Sequence, residues 1–318
     1  MSSQATPPAI HRSLPPELSR FSALTILVDP PTVASPAADA RTLALLRRAR
    51  DLGVTSFDVA GASNPERAER ILARAFPEPD PRIGAVIGRS VDSLSHAMNS
   101  DDAPPTPKDL PGALAMSIGQ SRRRLAPVAV GAVEWTPGAG GDAPTLPTLG
   151  NDTATGSGPS EPLWILRLLP ASQSLPDLGR KVNLFSGAFS ILDGNLGSWF
   201  EAAAPPSGAF LVARDPFSEG RLDGSRFAVR TGPGGPASPP VDVRRLHQEF
   251  DPVLRLGFLT AGRRRTLAQA ALQFALHWSW VATVVVPLPE PERFDEIFGF
   301  GSTPALSPDE LEQIRRLK

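Results

Sequence analysis

Four histidines are the first candidates for acid–base or metal chemistry, and His11, His96, His247 and His277 are scattered over 318 residues with no paired spacing. A metal centre needs several ligands converging at set intervals, so no metal is expected and these histidines read as structural or solvent-exposed. The missing residue types exclude more. The chain holds no cysteine and no tyrosine, which removes thiolate nucleophiles, zinc–thiolate sites, disulfides and any phenolic proton donor. Lysine is reduced to Lys108, Lys181 and Lys318, so nearly all positive charge is arginine, which does not release its proton. The runs Arg122-Arg123-Arg124 and Arg263-Arg264-Arg265 sit at a helix end and a helix start and read as solvated charge. There is no Gly-x-Ser-x-Gly elbow and no Walker loop.

Bulk composition narrows the class. With 32 Lys and Arg against 33 Asp and Glu the net charge is −1, so no global field favours nucleic acid or an anionic membrane. No run of 18 apolar residues occurs, so no membrane span is expected. The polar, proline-bearing stretch 1–16 lacks the basic start and apolar run of a signal peptide, and a cytoplasmic protein is expected. The 36 prolines and 27 glycines make about a fifth of the chain, which implies a folded protein with long loops.

Such residues need elements to position them, and the apolar periodicity supplies a regular alternation. Strands are predicted at Leu24–Val28, Ser56–Val59, Ala85–Gly88, Val128–Val133, Trp164–Leu169, Leu184–Phe189, Phe210–Ala213 and Thr283–Val286. Helices are predicted at Ala38–Leu52, Pro65–Ala75, Asp109–Leu125, Val241–Leu256 and Thr266–Trp278, with a last one opened by the capping box Ser307-Pro308-Asp309-Glu310. Parallel strands need long crossovers. Eight of them in about 300 residues predict an α/β chain closed as a (β/α)8 TIM barrel, its fourth crossover helix replaced by the Gly- and Pro-rich loop Thr136–Pro162. The lack of Gly-x-Gly-x-x-Gly after an early strand opposes an open dinucleotide-binding sheet. The expected organisation is a flexible tail over 1–18 and a single barrel over 19–318. Trp278 and Trp280 read as barrel packing.

Several strings, in order from residue 20 onward, resemble the aldo/keto reductase family. Leu52-Gly53-Val54-Thr55-Ser56-Phe57-Asp58-Val59-Ala60 looks like that family's second strand with its active-site aspartate, and Asn64–Leu72 looks like the helix that follows. Phe189–Asp193 is similar to the end of its sixth strand. Arg214-Asp215-Pro216-Phe217-Ser218-Glu219-Gly220-Arg221-Leu222-Asp223-Gly224 resembles the loop after its seventh, and Ala268–Leu276 with Val284–Pro287 resembles its penultimate helix and eighth strand. The resemblance implies an NAD(P)H-dependent carbonyl reductase, in which a tyrosine activated by a lysine delivers the proton, an aspartate pairs with the lysine, and a histidine orients the carbonyl.

Carried over position by position, the aspartate is Asp58, the tyrosine falls at Ser63, the lysine at Arg89 and the histidine at Glu134 or Trp135. Of the four, only the aspartate survives. An alcohol such as Ser63 is too weak an acid to replace a phenol, which leaves Glu134 as the one substitute donor; the competing reading is an Arg89–Glu134 or Arg89–Asp58 ion pair at a barrel mouth. The cofactor positions implied are Ser186 for the strand-six glutamine, Arg214 for the stacking residue, and the loop bearing Pro216, Phe217, Ser218, Gly220 and Leu222, whose Ser218–Leu222 part suits a pyrophosphate. The family's Ser-Asn pair falls near Leu169-Pro170-Ala171. Its final nucleotide segment reads Pro287-Leu288-Pro289-Glu290, then Arg293 and Glu296-Ile297, with Glu290 where an arginine would clasp a 2′-phosphate. The leading expectation is therefore a degenerate, non-redox barrel without cofactor that binds a small molecule or a protein partner. The alternatives are an NAD(P)-dependent reductase with an altered proton donor, and a lyase or isomerase using Asp58 and Glu134 as acid and base.

Overall fold

The computed structural model describes residues 14–33, 35–90, 94, 110–136, 162–168, 183–193, 196–197, 199–202, 208–227 and 250–317. Eight parallel strands run in chain order: β1 Leu24–Leu27, β2 Ser56–Asp58, β3 Gly84–Ser90, β4 Ala129–Thr136, β5 Leu163–Arg167, β6 Asn183–Ala188, β7 Ala209–Arg214 and β8 Val281–Pro287. They close into a barrel through the pairing of β8 with β1, Leu24 opposite Val284 and Leu27 opposite Pro287. The eight predicted strands and the (β/α)8 class are thus observed. The expected loop in place of the fourth crossover helix falls on 137–161, outside the described residues, as do 241–249 of the helix expected before Leu256.

Local chemistry sets the helix starts. In α1, Pro36–Asp51, the Ser35 side chain accepts the Ala38 N–H, and in α2, Pro65–Ala75, Asn64 accepts that of Arg67, each with proline in the first turn, where its missing N–H costs nothing. Gly53, at φ +96°, takes the left-handed turn after α1. Helix α3 spans Leu110–Leu125, and reciprocal capping boxes open α4, Leu267–His277, and α6, Pro308–Arg316. Helix α5, Pro291–Phe298, lies in the segment carried over above only as nucleotide contacts. Its eight residues bury Phe294, Ile297 and Phe298 at helical spacing.

Strand alternation sends side chains either into the barrel or out to the helices. Phe57 goes outward, its ring 5.0 Å from that of Phe76 after α2, while its neighbours Ser56 and Asp58 go inward. Val86, Ala132, Ile165, Leu184 and Val212 fill the interior. Of the expected tail 1–18, residues 1–13 lie outside the described ones. Pro16–Leu18 form a 3-10 turn, and Leu18 and Phe21 are buried against the interior cluster. Above them Thr25 Oγ1 lies 2.6 Å from Ser56 Oγ and 2.8 Å from Thr283 Oγ1, so the buried hydroxyls satisfy one another. Trp280 packs against Phe189, Phe200 and Trp278, as expected of barrel packing.

Candidate functional site

Three strands deliver charge to the mouth formed by their C-terminal ends, where barrel enzymes carry their chemistry. Asp58 ends β2, Glu134 lies near the end of β4 and Arg214 ends β7, and all three are buried. Arg214 Nη2 donates to Asp58 Oδ2 at 2.5 Å and to Glu134 Oε2 at 2.6 Å, and Arg214 Nε donates to the same Glu134 oxygen at 2.9 Å. Asp58 Oδ1 accepts the Gly61 N–H at 2.9 Å. Gly61 admits the guanidinium: a Cβ there would stand 3.2 Å from Arg214 Nη1 and 3.2 Å from Leu27 Cδ1. Burial works against the Arg214 charge, yet Asp58 and then Glu134 outweigh it and raise the guanidinium pKa above its ordinary value.

Arg167 completes the group. It ends β5 one inward position beyond Ile165, with Nη1 3.4 Å from Glu134 Oε1 and a side chain 40% exposed. Nothing in the carry-over points to it; the parity with Ile165, an inward residue, is the signal that finds it.

Two expected catalytic positions lie elsewhere. Ser63 is exposed, and its N–H and hydroxyl bond to the two oxygens of Asp29 at 2.9 and 3.0 Å. Arg89 points away from the mouth into the helix layer, donating to the Ser117 carbonyl at 3.1 Å and to the Ser121 hydroxyl, which in turn donates to Glu69. Burial lowers the Arg89 pKa, opposed by Glu69 and reinforced by Arg124. The expected Arg89 ion pair with Asp58 or Glu134 is therefore replaced by one with Arg214. The reason is parity. On β3 the inward residues are Val86 and Gly88, the latter in register with Glu134, and a shift of one residue reverses the face. At Gly88 a Cβ would meet Ala60 Cα at 3.0 Å, so level with Glu134 the strand brings no side chain to the mouth.

Arginine runs read as solvated charge also prove partly structural. Arg265 is buried, donating to the Leu259 and Pro304 carbonyls at 3.0 and 2.7 Å and to Glu310, and Arg124 pairs with buried Glu69.

The positions carried over as cofactor contacts surround β6 and β7. Ser186, fully buried on β6, has a hydroxyl without a hydrogen-bond partner among the described residues. Arg214 is committed to the two carboxylates. Pro216, Phe217 and Leu222 are buried. Ser218 Oγ lies 2.5 Å from Ser190 Oγ, and Gly220 takes φ +82° in a turn where a Cβ would meet Arg226 N at 2.8 Å. Glu290 pairs with Arg41 at 2.8 Å, and Arg293 bridges Asp223 and Glu296 at 3.0 and 2.9 Å. Residues 169–171 lie outside the described ones. Of the histidines only His277 is described, and among the described residues no group of His, Cys, Asp and Glu could hold a metal ion and no helix is long and apolar enough to cross a membrane.

No family model matches the sequence, and no curated protein matches it either. Solved structures do match in three dimensions. An aldo-keto reductase of Bacillus halodurans in its holo form is 17% identical with a TM-score of 0.63, covering 93% of this chain and 92% of its own. The barrel has the aldo/keto reductase fold. An aldo/keto reductase of Klebsiella pneumoniae in complex with NADP and acetate, 17% identical, gives a TM-score of 0.64 over 93% of this chain and 91% of that one. The glycerol dehydrogenase of Gluconobacter oxydans gives 0.66 at 12% identity, covering 93% and 91%. The aldo/keto reductase-like barrel inferred from the sequence strings is observed, and identities this low speak to fold alone.

Proposed function

We propose that this chain is an aldo/keto reductase-like barrel without redox activity, one that uses its mouth to bind a small molecule or a protein partner. The observation that carries the reading is the Arg214 bridge between Asp58 and Glu134. A carbonyl reductase needs a donor O–H at the mouth. Here Arg89, the strand-three position, is turned into the helix layer, Ser63 is turned to Asp29, and Glu134 accepts two N–H bonds from Arg214 while facing Arg167. The same bridge opposes a lyase or isomerase, because Asp58 and Glu134 are both engaged by one guanidinium.

The residues present do not fit a nicotinamide dinucleotide. Arg214 is held edge-on by two carboxylates and is not free to lie on a ring, the Ser218 hydroxyl is bound to Ser190, and Glu290 carries negative charge where a 2′-phosphate would need positive. One observation favours the alternative of an NAD(P)-dependent reductase of altered chemistry: the fully buried Ser186 hydroxyl, unpartnered among the described residues, at the position carried over from the family's glutamine.

Titration of the purified protein with NADH and NADPH, followed by calorimetry and tryptophan fluorescence, separates the two. No saturable binding is expected at millimolar cofactor; a micromolar Kd for either would overturn the non-redox reading.

A further inference from the structure

Among the described residues the barrel mouth holds more hydrogen-bond donors than its acceptors can use. Its two carboxylates are engaged: Asp58 accepts from the Gly61 N–H and from Arg214 Nη2, and Glu134 Oε2 accepts two N–H groups of Arg214. Arg167 is not matched in the same way. Its one contact among the described residues is Glu134 Oε1 at 3.4 Å, longer than a normal N–H···O bond, so most of its five N–H donors are left over.

Strand register places a second spare donor beside it. Arg167 on β5 lies opposite Ser186 on β6, and neighbouring strands are only about 4.8 Å apart. Both residues stand one inward position beyond side chains that fill the interior, Arg167 beyond Ile165 and Ser186 beyond Leu184. The Ser186 hydroxyl is fully buried and has no partner among the described residues. A buried hydroxyl left in that state opposes folding, unless a bound group supplies the missing oxygen.

Charge narrows what that group can be. Arg167 and Arg214 balance Asp58 and Glu134, so a ligand with two negative charges would bring the second one beside Glu134 with no further cation to meet it. A monocarboxylate brings one charge and two coplanar oxygens that match a guanidinium fork.

We propose that Arg167 and Ser186 together bind the carboxylate of a small organic acid, Arg167 holding its oxygens and Ser186 donating to one of them. The hydroxyl is shielded from water, so the acid enters beneath the guanidinium, and the half-exposed Arg167 side chain is the part of this wall able to swing aside. This assignment rests on reading the mouth as a small-molecule site and names the class of that molecule.

The test titrates wild type, Arg167→Gln and Ser186→Ala with butyrate, with its uncharged isostere butyramide and with inorganic phosphate, by calorimetry and tryptophan fluorescence. Both variants are expected to fold, since Glu134 keeps Arg214 and the Ser186 hydroxyl has no bond to lose; thermal melting checks this. Wild type should bind butyrate saturably with a Kd of about 1–10 mM, the range open to so few atoms, and butyramide and phosphate at least roughly tenfold more weakly. Arg167→Gln should weaken butyrate at least roughly tenfold and Ser186→Ala roughly threefold or more. The proposal is overturned if wild type shows no saturable butyrate binding up to about 50 mM, if butyramide or phosphate binds as well as butyrate, or if either folded variant binds butyrate as tightly as wild type. Should Arg167→Gln fail to fold, Ser186→Ala decides: weaker butyrate binding supports the site and unchanged binding overturns it. Micromolar NADPH binding would overturn the non-redox reading and leaves the butyrate result to decide this site, whereas a wild type that binds neither cofactor nor butyrate overturns this proposal alone.

Discussion

Arg214 Nη2 stands 2.5 Å from Asp58 Oδ2 and joins the ends of β7 and β2, which are three strands apart around the barrel. The positive charge beside the aspartate enters from the strand opposite to the one the sequence comparison suggests. Removing it strands two buried carboxylates. Arg214→Met is expected to lower the unfolding free energy by about 3–5 kcal/mol, the usual cost of leaving buried charge uncompensated. Urea denaturation at neutral pH reads this directly, and a loss below about 1 kcal/mol would contradict the bridge as a stabilising contact.

The second buried network yields an asymmetric pair of variants. Glu69 receives the Ser121 hydroxyl and Arg124, while Arg89 reaches Ser121 from the other side. Glu69→Gln removes the buried carboxylate of the cluster and leaves Arg124 only the more distant Glu66 at 3.6 Å, so a loss of about 3–5 kcal/mol is expected. Arg89→Met leaves Glu69 still paired with Arg124 and should cost clearly less. Equal losses in chemical denaturation would mean that Arg89 and Arg124 do not share Glu69 as described.

Gly88 tests the claim that β3 has no room for a side chain level with Glu134. A Cβ there lies 3.0 Å from both Ala60 Cα and Ala60 Cβ, so the backbone of the neighbouring segment has to give way. Gly88→Ala should destabilise by about 1–3 kcal/mol, as overpacking does. A melting temperature unchanged from wild type would show that the space is larger than the geometry indicates.

Two carboxyls give opposite pH signatures. Glu310 is held below its ordinary pKa of 4.5: burial opposes the charge, but the Ser307 N–H and then Arg265 outweigh it. A depressed acid contributes stability that is present above the unfolded pKa and lost as pH falls through the folded one, so the advantage of wild type over Glu310→Gln should shrink below pH 4.5. Asp215 is raised above 3.8, chiefly by burial. Its ionised form therefore weakens the folded state at neutral pH, and the penalty fades as pH falls through the folded pKa toward 3.8. Asp215→Asn should gain on wild type as pH rises through that window. Thermal melts from acid to neutral pH check both, and parallel curves for either variant and wild type would refute that assignment.

The eight strands, their alternation with helices and most helix boundaries are legible in the residues, because periodicity, proline in the first turn and capping boxes are local properties. Pro65–Ala75 as a helix and all eight strands follow from such signals. Helix α5 is not legible as a helix, since its eight residues carry too short an apolar stripe to stand out beside four acidic and basic ones. For the site, Asp58, Glu134 and Arg214 were legible as separate positions.

The sequence by itself determined that no thiol and no phenol can act here, and that strands and helices alternate through a barrel, since composition and local pattern need no neighbours in space. Only the tertiary structure decided which charges meet. One residue of parity on β3 sends Arg89 outward and leaves Gly88 facing in, and the curvature of the closed sheet then brings Arg214 from β7 within reach of both carboxylates. Parity at a strand end and contact across a barrel depend on register and closure, which no single segment encodes.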